Sequence, residues 1–321
     1  MQFRFAIIGA GNIAAKFADA VSRLDGCEVA AVASKSQARA EAFAASNGIA
    51  AAYDSYERML KTERPDCAYI ATTSDSHPAL SELCVQCRVP VLCEKAMFSD
   101  ERQAGAFFTL AEREGVFTME ALWSRFLPAN LKAREWIRSG RIGALVSADF
   151  EIGFNPPRDW GNRYFNPALG GGAANDLTVY ALHLLPWVTD RGIEAGRVGV
   201  VAAPTGVDET EAVLLTLSGG LPATARTTLA SRVEERMVIC GREGRIVVPK
   251  PHMAQSAVLY DGEGGLAERF EDAQTQNGFV YEVDEAMRCI RMGRTESEAV
   301  PHSATVQAAK YIRQIHEALG R

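Results

Sequence analysis

The chain has 321 residues, 47% hydrophobic and 23% charged, with a formal net charge of −6. That is enough for two domains of an ordinary globular protein, and it lacks the basic stripe that a nucleic-acid partner requires. No apolar run is long enough to span a bilayer, and the N-terminus enters a strand pattern directly, so neither a membrane span nor a signal peptide is expected.

Phe3 to Ile8 reads as a buried strand, and it runs straight into Gly9-Ala10-Gly11-Asn12-Ile13-Ala14, which opens an apolar-periodic helix through Phe17, Ala20 and Val21. This is G-x-G-x-x-A between strand and helix, the context a dinucleotide site needs. Gly9 permits the tight turn, Gly11 lets a pyrophosphate reach the backbone, and Ala14 lets helix pack on strand. Asn12 and Ile13 supply further N–H groups at the helix start.

Residues 28–33 form a second apolar strand. A NAD site usually has an acidic residue at its end, holding the ribose 2′-hydroxyl. Here that place holds Ser34, followed by Lys35 and Arg39. A hydroxyl and two cations suit a 2′-phosphate, so NADP is favoured over NAD. The alternative is that the two cations merely lie on a solvated helix face.

Helix and strand patterns then alternate: helix 36–47 with Ser36 as N-cap, helix 56–60, strand 67–71, helix 78–87, strand 89–93, helix 100–114 and strand 116–119. This alternation predicts a doubly wound parallel sheet, a Rossmann domain over residues 1–120. From residue 121 the texture changes. After a helix at 131–139, strands at 145–152, 198–203, 211–218, 223–228, 235–240 and 244–248 predict a C-terminal α+β domain, 121–321, with a large, mostly antiparallel open sheet. Helices at 278–291 and 304–319 close the chain, the last free to pack back on the N-terminal domain.

The cysteines are Cys27, Cys67, Cys84, Cys87, Cys93, Cys240 and Cys289. An odd, scattered set argues for reduced thiols and a cytoplasmic protein. Cys84 and Cys87 have C-x-x-C spacing, but the apolar pattern makes them a helix face, and no cluster has metal-ligand spacing.

Two stretches carry candidate chemistry. Glu94 and Lys95 follow an apolar strand at the sheet edge where ligands bind; a lysine there is often only a solvated turn residue. Gly170-Gly171-Gly172 precedes a helix with Asp176, Tyr180 and His183 at i, i+4 and i+7, which places all three on one helical face. His183 is expected behind the other two or in the core. Thr72 and His77, after the strand ending at Ala71, face the cofactor cleft or simply start a helix.

The dinucleotide turn, Cys93-Glu94-Lys95, Glu120-Ala121-Leu122-Trp123-Ser124-Arg125-Phe126, and Gly170-Gly171-Gly172 with Asp176 and Tyr180 occur in one order and spacing. Together they resemble the glucose-fructose oxidoreductase / inositol dehydrogenase (GFO/IDH/MocA) family, nearest its dimeric dihydrodiol dehydrogenase and NADP-dependent D-xylose dehydrogenase branch. The resemblance implies an NAD(P)-dependent dehydrogenase acting on a CH–OH group of a small polyol, sugar or diol, and a homodimer through the C-terminal sheet. It implies Lys95, Tyr180 and Asp176 as catalytic residues, Trp123 and Arg125 beside the nicotinamide, and Phe154, Tyr180 and Phe279 around the substrate. The family lysine is usually followed by proline; here it is followed by Ala96. On this reading Tyr180 exchanges the proton, Lys95 tunes it, and Asp176 orients Lys95 or a second hydroxyl. The alternative is an NADP-binding sensor of the same fold without turnover.

Overall fold

The computed structural model describes residues 2–320. The chain divides into two compact units: Met1–Trp123 with Gln276–Val306, and Ser124–Thr275 with Gln307–Arg321.

In the first unit the elements run β1 (Phe3–Ile8), α1 (Asn12–Ser22), β2 (Cys27–Ala33), α2 (Gln37–Asn47), β3 (Ala51–Tyr53), α3 (Tyr56–Glu63), β4 (Cys67–Ile70), α4 (His77–Gln86), β5 (Val91–Glu94), α5 (Glu101–Glu114) and β6 (Thr118–Ala121). The strands form one sheet in the order β3-β2-β1-β4-β5-β6, and every pairing is parallel. Strand order therefore reverses between β1 and β4, the position at which doubly wound sheets open a crevice for ligands. Parallel strands are covered on both faces, which explains the unbroken apolar runs: Phe5 to Ile8 are fully buried. Phe17 on α1 stacks on Tyr69 of β4 with centroids 3.7 Å apart, and meets Phe5 edge-on at 5.4 Å. β3 was not expected; its three residues, Ala51-Ala52-Tyr53, are too few to show alternation. Ser36 stands at the N-cap of α2, but its side chain makes no capping bond.

The second unit contains α6 (Pro128–Arg138), β7 (Leu145–Gly153), α7 (Val179–Thr189), β8 (Ile193–Ala202), β9 (Asp208–Leu217), β10 (Leu221–Thr228), β11 (Arg236–Gly241), β12 (Gly244–Pro249), β13 (Ser256–Asp261) and β14 (Leu266–Glu271). These strands form a second sheet, β14-β13-β12-β11-β7-β10-β9-β8, antiparallel except where β7 pairs with β10. One face is apolar: Phe150, Ile152, Val213, Leu215, Ile239 and Ile246 are buried, and α6 and α7 lie on this sheet. The alternate residues Thr224, Arg226 and Leu214 are exposed, as period-two strands with one covered face require. The sequence pattern missed β13 and β14 and did not foresee the parallel β7–β10 pair.

Two helices close the chain, α8 (Phe279–Arg291) and α9 (His302–Ala318). α8 belongs to the first unit, packed on α1. The seven cysteines are all free thiols. Among the described residues no helix is long and apolar enough to cross a membrane.

The glycine turn after β1 is sterically set. Gly9 has φ +107°, and a Cβ there would lie 2.7 Å from the Ala71 carbonyl oxygen. Gly9→Ala should lose about 1–3 kcal/mol in urea unfolding. Gly11→Ala, with φ −109° and open space around the added carbon, should stay within about 0.5 kcal/mol of the parent.

Candidate active site

Gly11 is the N-cap of α1, and no side chain caps that helix; its first turn carries no acidic residue. Gly11 and Asn12 are exposed and Ile13 half-buried. A helix start with free N–H groups, open space at the Gly11 Cα and a positive dipole end fits a pyrophosphate. Gly9 donates its N–H to the Ala33 carbonyl at 2.8 Å, tying the turn to the end of β2. Ser34 is buried there, with Lys35 and Arg39 exposed just beyond it. Thr72 borders the same turn: its methyl would lie 3.2 Å from a Cβ on Gly9. These residues fit NAD(P).

The end of β5 is held by polar groups out of water. Glu94 is buried and accepts a 2.5 Å hydrogen bond from the Tyr69 hydroxyl. Glu282 of α8 is fully buried; burial first, then the neighbouring Glu94 charge, push its carboxyl well above the ordinary range. The Lys95–Ala96 peptide bond is cis, although no proline follows the lysine. The Ala96 carbonyl faces His77 Nδ1 at 2.9 Å, and the next amide, of Met97, donates to Glu120 Oε1 at 3.0 Å. Glu120 is held in turn by the Thr305 hydroxyl at 2.7 Å. Lys95 thus lies, half-buried, just before a peptide group that His77 and Glu120 hold at its two ends.

His77 itself is buried, with Nε2 3.2 Å from the Thr72 carbonyl. Burial lowers its pKa, which leaves the ring neutral at physiological pH. The ring thus lies between the carbonyls of the loops after β4 and β5, and in its neutral form donates to one of them. Trp123 and Phe279 meet in the same unit, ring centroids 5.0 Å apart.

In the second unit the glycine run leads into a π-helical turn, Ala174–Thr178, that continues as α7. The wider turn changes the register expected of an α-helix. Asp176, Tyr180 and His183 differ in exposure and in partners. Asp176 is partly exposed and accepts from Arg163 Nη1 at 3.2 Å. The Tyr180 ring, 7% exposed, lies 5.6 Å from that of His252. His183 is fully buried, and Arg125, buried too, donates to its carbonyl at 3.0 Å. Arg125 therefore fastens α7 from inside this unit. Phe154 is half-buried and meets Tyr164 edge-on at 5.2 Å.

A buried acid pair explains the glycines. Asp208 and Glu211, at the start of β9, are both fully buried. Asp208 Oδ2 accepts the Ala174 N–H at 2.6 Å, and its carboxylate fills the space of a Cβ on Gly172, which has φ +124°. Glu211 accepts from the Thr178 hydroxyl and hydrogen-bonds Asp208. One proton must lie between two carboxyls that touch. Burial first, then the Asp208 charge, push Glu211 well above the usual carboxyl range. The π-helical turn is thus gripped at both ends from β9. The signal for Glu211 was an acid at an inward-facing position of an alternating strand; nothing local marked Arg163.

Comparison with known proteins agrees with this architecture. Residues 3–122 match the family described as "Oxidoreductase family, NAD-binding Rossmann fold", and residues 130–247 match "GFO/IDH/MocA C-terminal domain". The mouse protein named trans-1,2-dihydrobenzene-1,2-diol dehydrogenase is 32% identical, over 100% of this chain and 98% of that one. The human protein of that name is 29% identical with the same coverage. Among solved structures, aldose-aldose oxidoreductase from Caulobacter crescentus, complexed with glycerol, superposes with a TM-score of 0.88 at 22% identity, over 100% of this chain and 99% of that one. A 3-ketoreductase from Actinomadura kijaniata, in complex with NADP and TDP-benzene, has a TM-score of 0.87 at 20% identity, over 99% and 98%.

The acid pair makes stability depend on pH. Glu211 keeps its proton in the folded protein above the ordinary value of 4.5, where the unfolded chain releases it. Its contribution is therefore lost as pH rises above 4.5, by about 1.4 kcal/mol per unit while it stays protonated only in the fold. Glu211→Gln should remove that slope. Urea unfolding at pH 5 and pH 8 should show the parent losing more stability than the variant.

Proposed function

The chain belongs to the GFO/IDH/MocA oxidoreductase family, and from that footing we propose that it interconverts a carbinol of a sugar, cyclitol or trans-dihydrodiol with the carbonyl, using NADP in preference to NAD. A nicotinamide bound at the glycine turn supplies or accepts the hydride. Gly9, Gly11, Asn12 and Ile13 hold the pyrophosphate, and Ser34, Lys35 and Arg39 take the 2′-phosphate. Thr72, His77, Glu94, Trp123 and Arg125 form or brace the surroundings of the cofactor, and Phe154 and Phe279 bound the substrate.

The observation that carries this reading is the fastening of Lys95. A solvated turn lysine needs no buried histidine and glutamate holding the backbone around it. An ordinary phenol ionises near pH 10, too high for a base at neutral pH. The Lys95 ammonium favours phenolate, so Tyr180 can take the carbinol proton as the hydride leaves carbon. Asp176 orients a second hydroxyl. In the reducing direction Tyr180 returns the proton.

Other parts of the reading have their own support. The relatives named trans-1,2-dihydrobenzene-1,2-diol dehydrogenase support the diol class, and the free thiols fit a reducing, cytoplasmic setting. A homodimer through the outer face of the second sheet would cover Leu214, 53% exposed, together with the half-exposed Val238, Val247 and Tyr260.

The test is an activity panel of aldoses, cyclitols and trans-dihydrodiols with NADP and with NAD. Lys95→Met and Tyr180→Phe should each lower kcat/KM by about 100-fold or more, the usual scale of a lost general acid–base, with NADPH affinity within threefold of the parent. Tight NADPH binding without turnover on every substrate would instead favour a sensor.

A further inference from the structure

Tyr180 is 7% exposed, and the role assigned to it makes that burial a difficulty. Each oxidation leaves a proton on the phenol, and each reduction takes one from it. The next turnover needs that proton removed or delivered, and a buried hydroxyl meets little water. A neighbour that both takes and gives a proton, and that itself reaches solvent, resolves this. Imidazole is the side chain suited to it: one ring nitrogen accepts while the other donates, and both of its protonation states are ordinarily populated near neutral pH.

An imidazole stands beside Tyr180, within the same unit. The His252 ring lies 5.6 Å from the Tyr180 ring, tilted by 51°. His252 is half-buried where Tyr180 is buried. It is the middle residue of a tight turn, Pro251–Met253, between β12 and β13. Lys250, just before the turn, has φ +46°, in the left-handed region that a residue with a side chain seldom adopts. The Lys250 N–H donates to the Glu235 carbonyl at 2.9 Å, and the Met253 N–H to the Lys250 carbonyl at 2.8 Å. Asn130 of α6 is fully buried, and its Nδ2 donates to the Pro251 carbonyl at 2.8 Å and to the Ser124 carbonyl at 2.7 Å. A turn between strands commonly holds itself with its own backbone. This one is also tied by a buried amide 121 positions away in the chain, and so the imidazole is kept against α7. Packing alone does not call for a histidine there, because an apolar ring fills the place without polar atoms to satisfy.

We propose that His252 is the proton relay of Tyr180, carrying the phenol's proton to and from solvent at each turnover. The proposal rests on the reading of Tyr180 as the group that exchanges the carbinol proton. In oxidation the carbinol carbon gives a hydride to NADP, and its oxygen gives a proton to the Tyr180 phenolate. The phenol then passes that proton to the neutral His252 ring, which restores the phenolate, and the imidazolium releases it to water. In reduction the order reverses. His252 touches neither carbinol nor cofactor in these steps; it acts through Tyr180.

The experiment takes the full chain, saturating NADP and the substrate of highest turnover in the activity panel, in a buffer free of imidazole. His252→Gln and His252→Ala should each lower kcat about tenfold or more, within the range of a lost proton-transfer group, with KM within about twofold of the parent. An unchanged urea midpoint and unchanged NADPH affinity certify the fold of each variant, and the near-isosteric glutamine keeps the test open where alanine unsettles the turn. Imidazole added in rising concentration should restore His252→Ala and leave Tyr180→Phe unmoved. Pyrazole, of the same size and far less basic, should restore nothing. Full kcat in His252→Gln overturns the relay, as does a loss of kcat that imidazole fails to restore. Equal rescue by pyrazole overturns it too, since it shows a filled cavity and no proton transfer. No turnover by the parent on the whole panel sinks the dehydrogenase and the relay together. Turnover by the parent with any of the other overturning results sinks the relay alone.

Discussion

The second unit depends on one buried contact: the Asp208 carboxylate accepting the N–H of Ala174 while filling the place where Gly172 lacks a side chain. A carboxylate out of water is costly unless it is hydrogen-bonded, and this one takes a backbone donor and lies beside the acid of Glu211. The same acid takes the hydroxyl of Thr178. The segment carrying Asp176 is therefore fixed from below by the sheet, not by its own helical preference. The turn is π-helical, and such turns are uncommon and frequent at functional sites.

The first unit uses the same device at the end of β5. His77 and Glu120 meet the carbonyl and the N–H of the one peptide group that follows the cis Lys95–Ala96 bond, and Tyr69 donates to Glu94. In both units a short functional segment follows a regular element and is then held by buried polar side chains from elsewhere in the chain. Buried polar contacts of this kind favour one arrangement over others. The ion pair of Arg163 and Asp176 has a different character: its arginine is 55% exposed, and such a pair does little for stability.

Much of this was legible locally. The strand Phe3–Ile8 and the turn at Gly9 and Gly11 are contiguous, so their chemistry shows in six residues. Asp176 and Tyr180 were visible through the three glycines before them, but the π-helical turn that carries Asp176, bonded to Asp208 of β9, was not. His77 was expected to line a cleft or start a helix; it is the first residue of α4, and its buried ring lies between the Ala96 and Thr72 carbonyls. Arg125 looked like a cofactor neighbour, and its guanidinium bonds the carbonyl of His183. β3 escaped because three residues show no period, and β14 because its strand has no buried face.

The sequence by itself determined the layer plan, the nucleotide turn, the family and the short segments that carry reactive side chains, because each is written in neighbouring residues through strand and helix periods and glycine geometry. Only the tertiary structure decided which side chain stands against which. Asp208 under Gly172, Glu120 on Met97 and Arg163 on Asp176 join residues 36, 23 and 13 positions apart in the chain. Such pairs are set by packing and by the need to satisfy every buried polar group, and neither is a property of any local stretch.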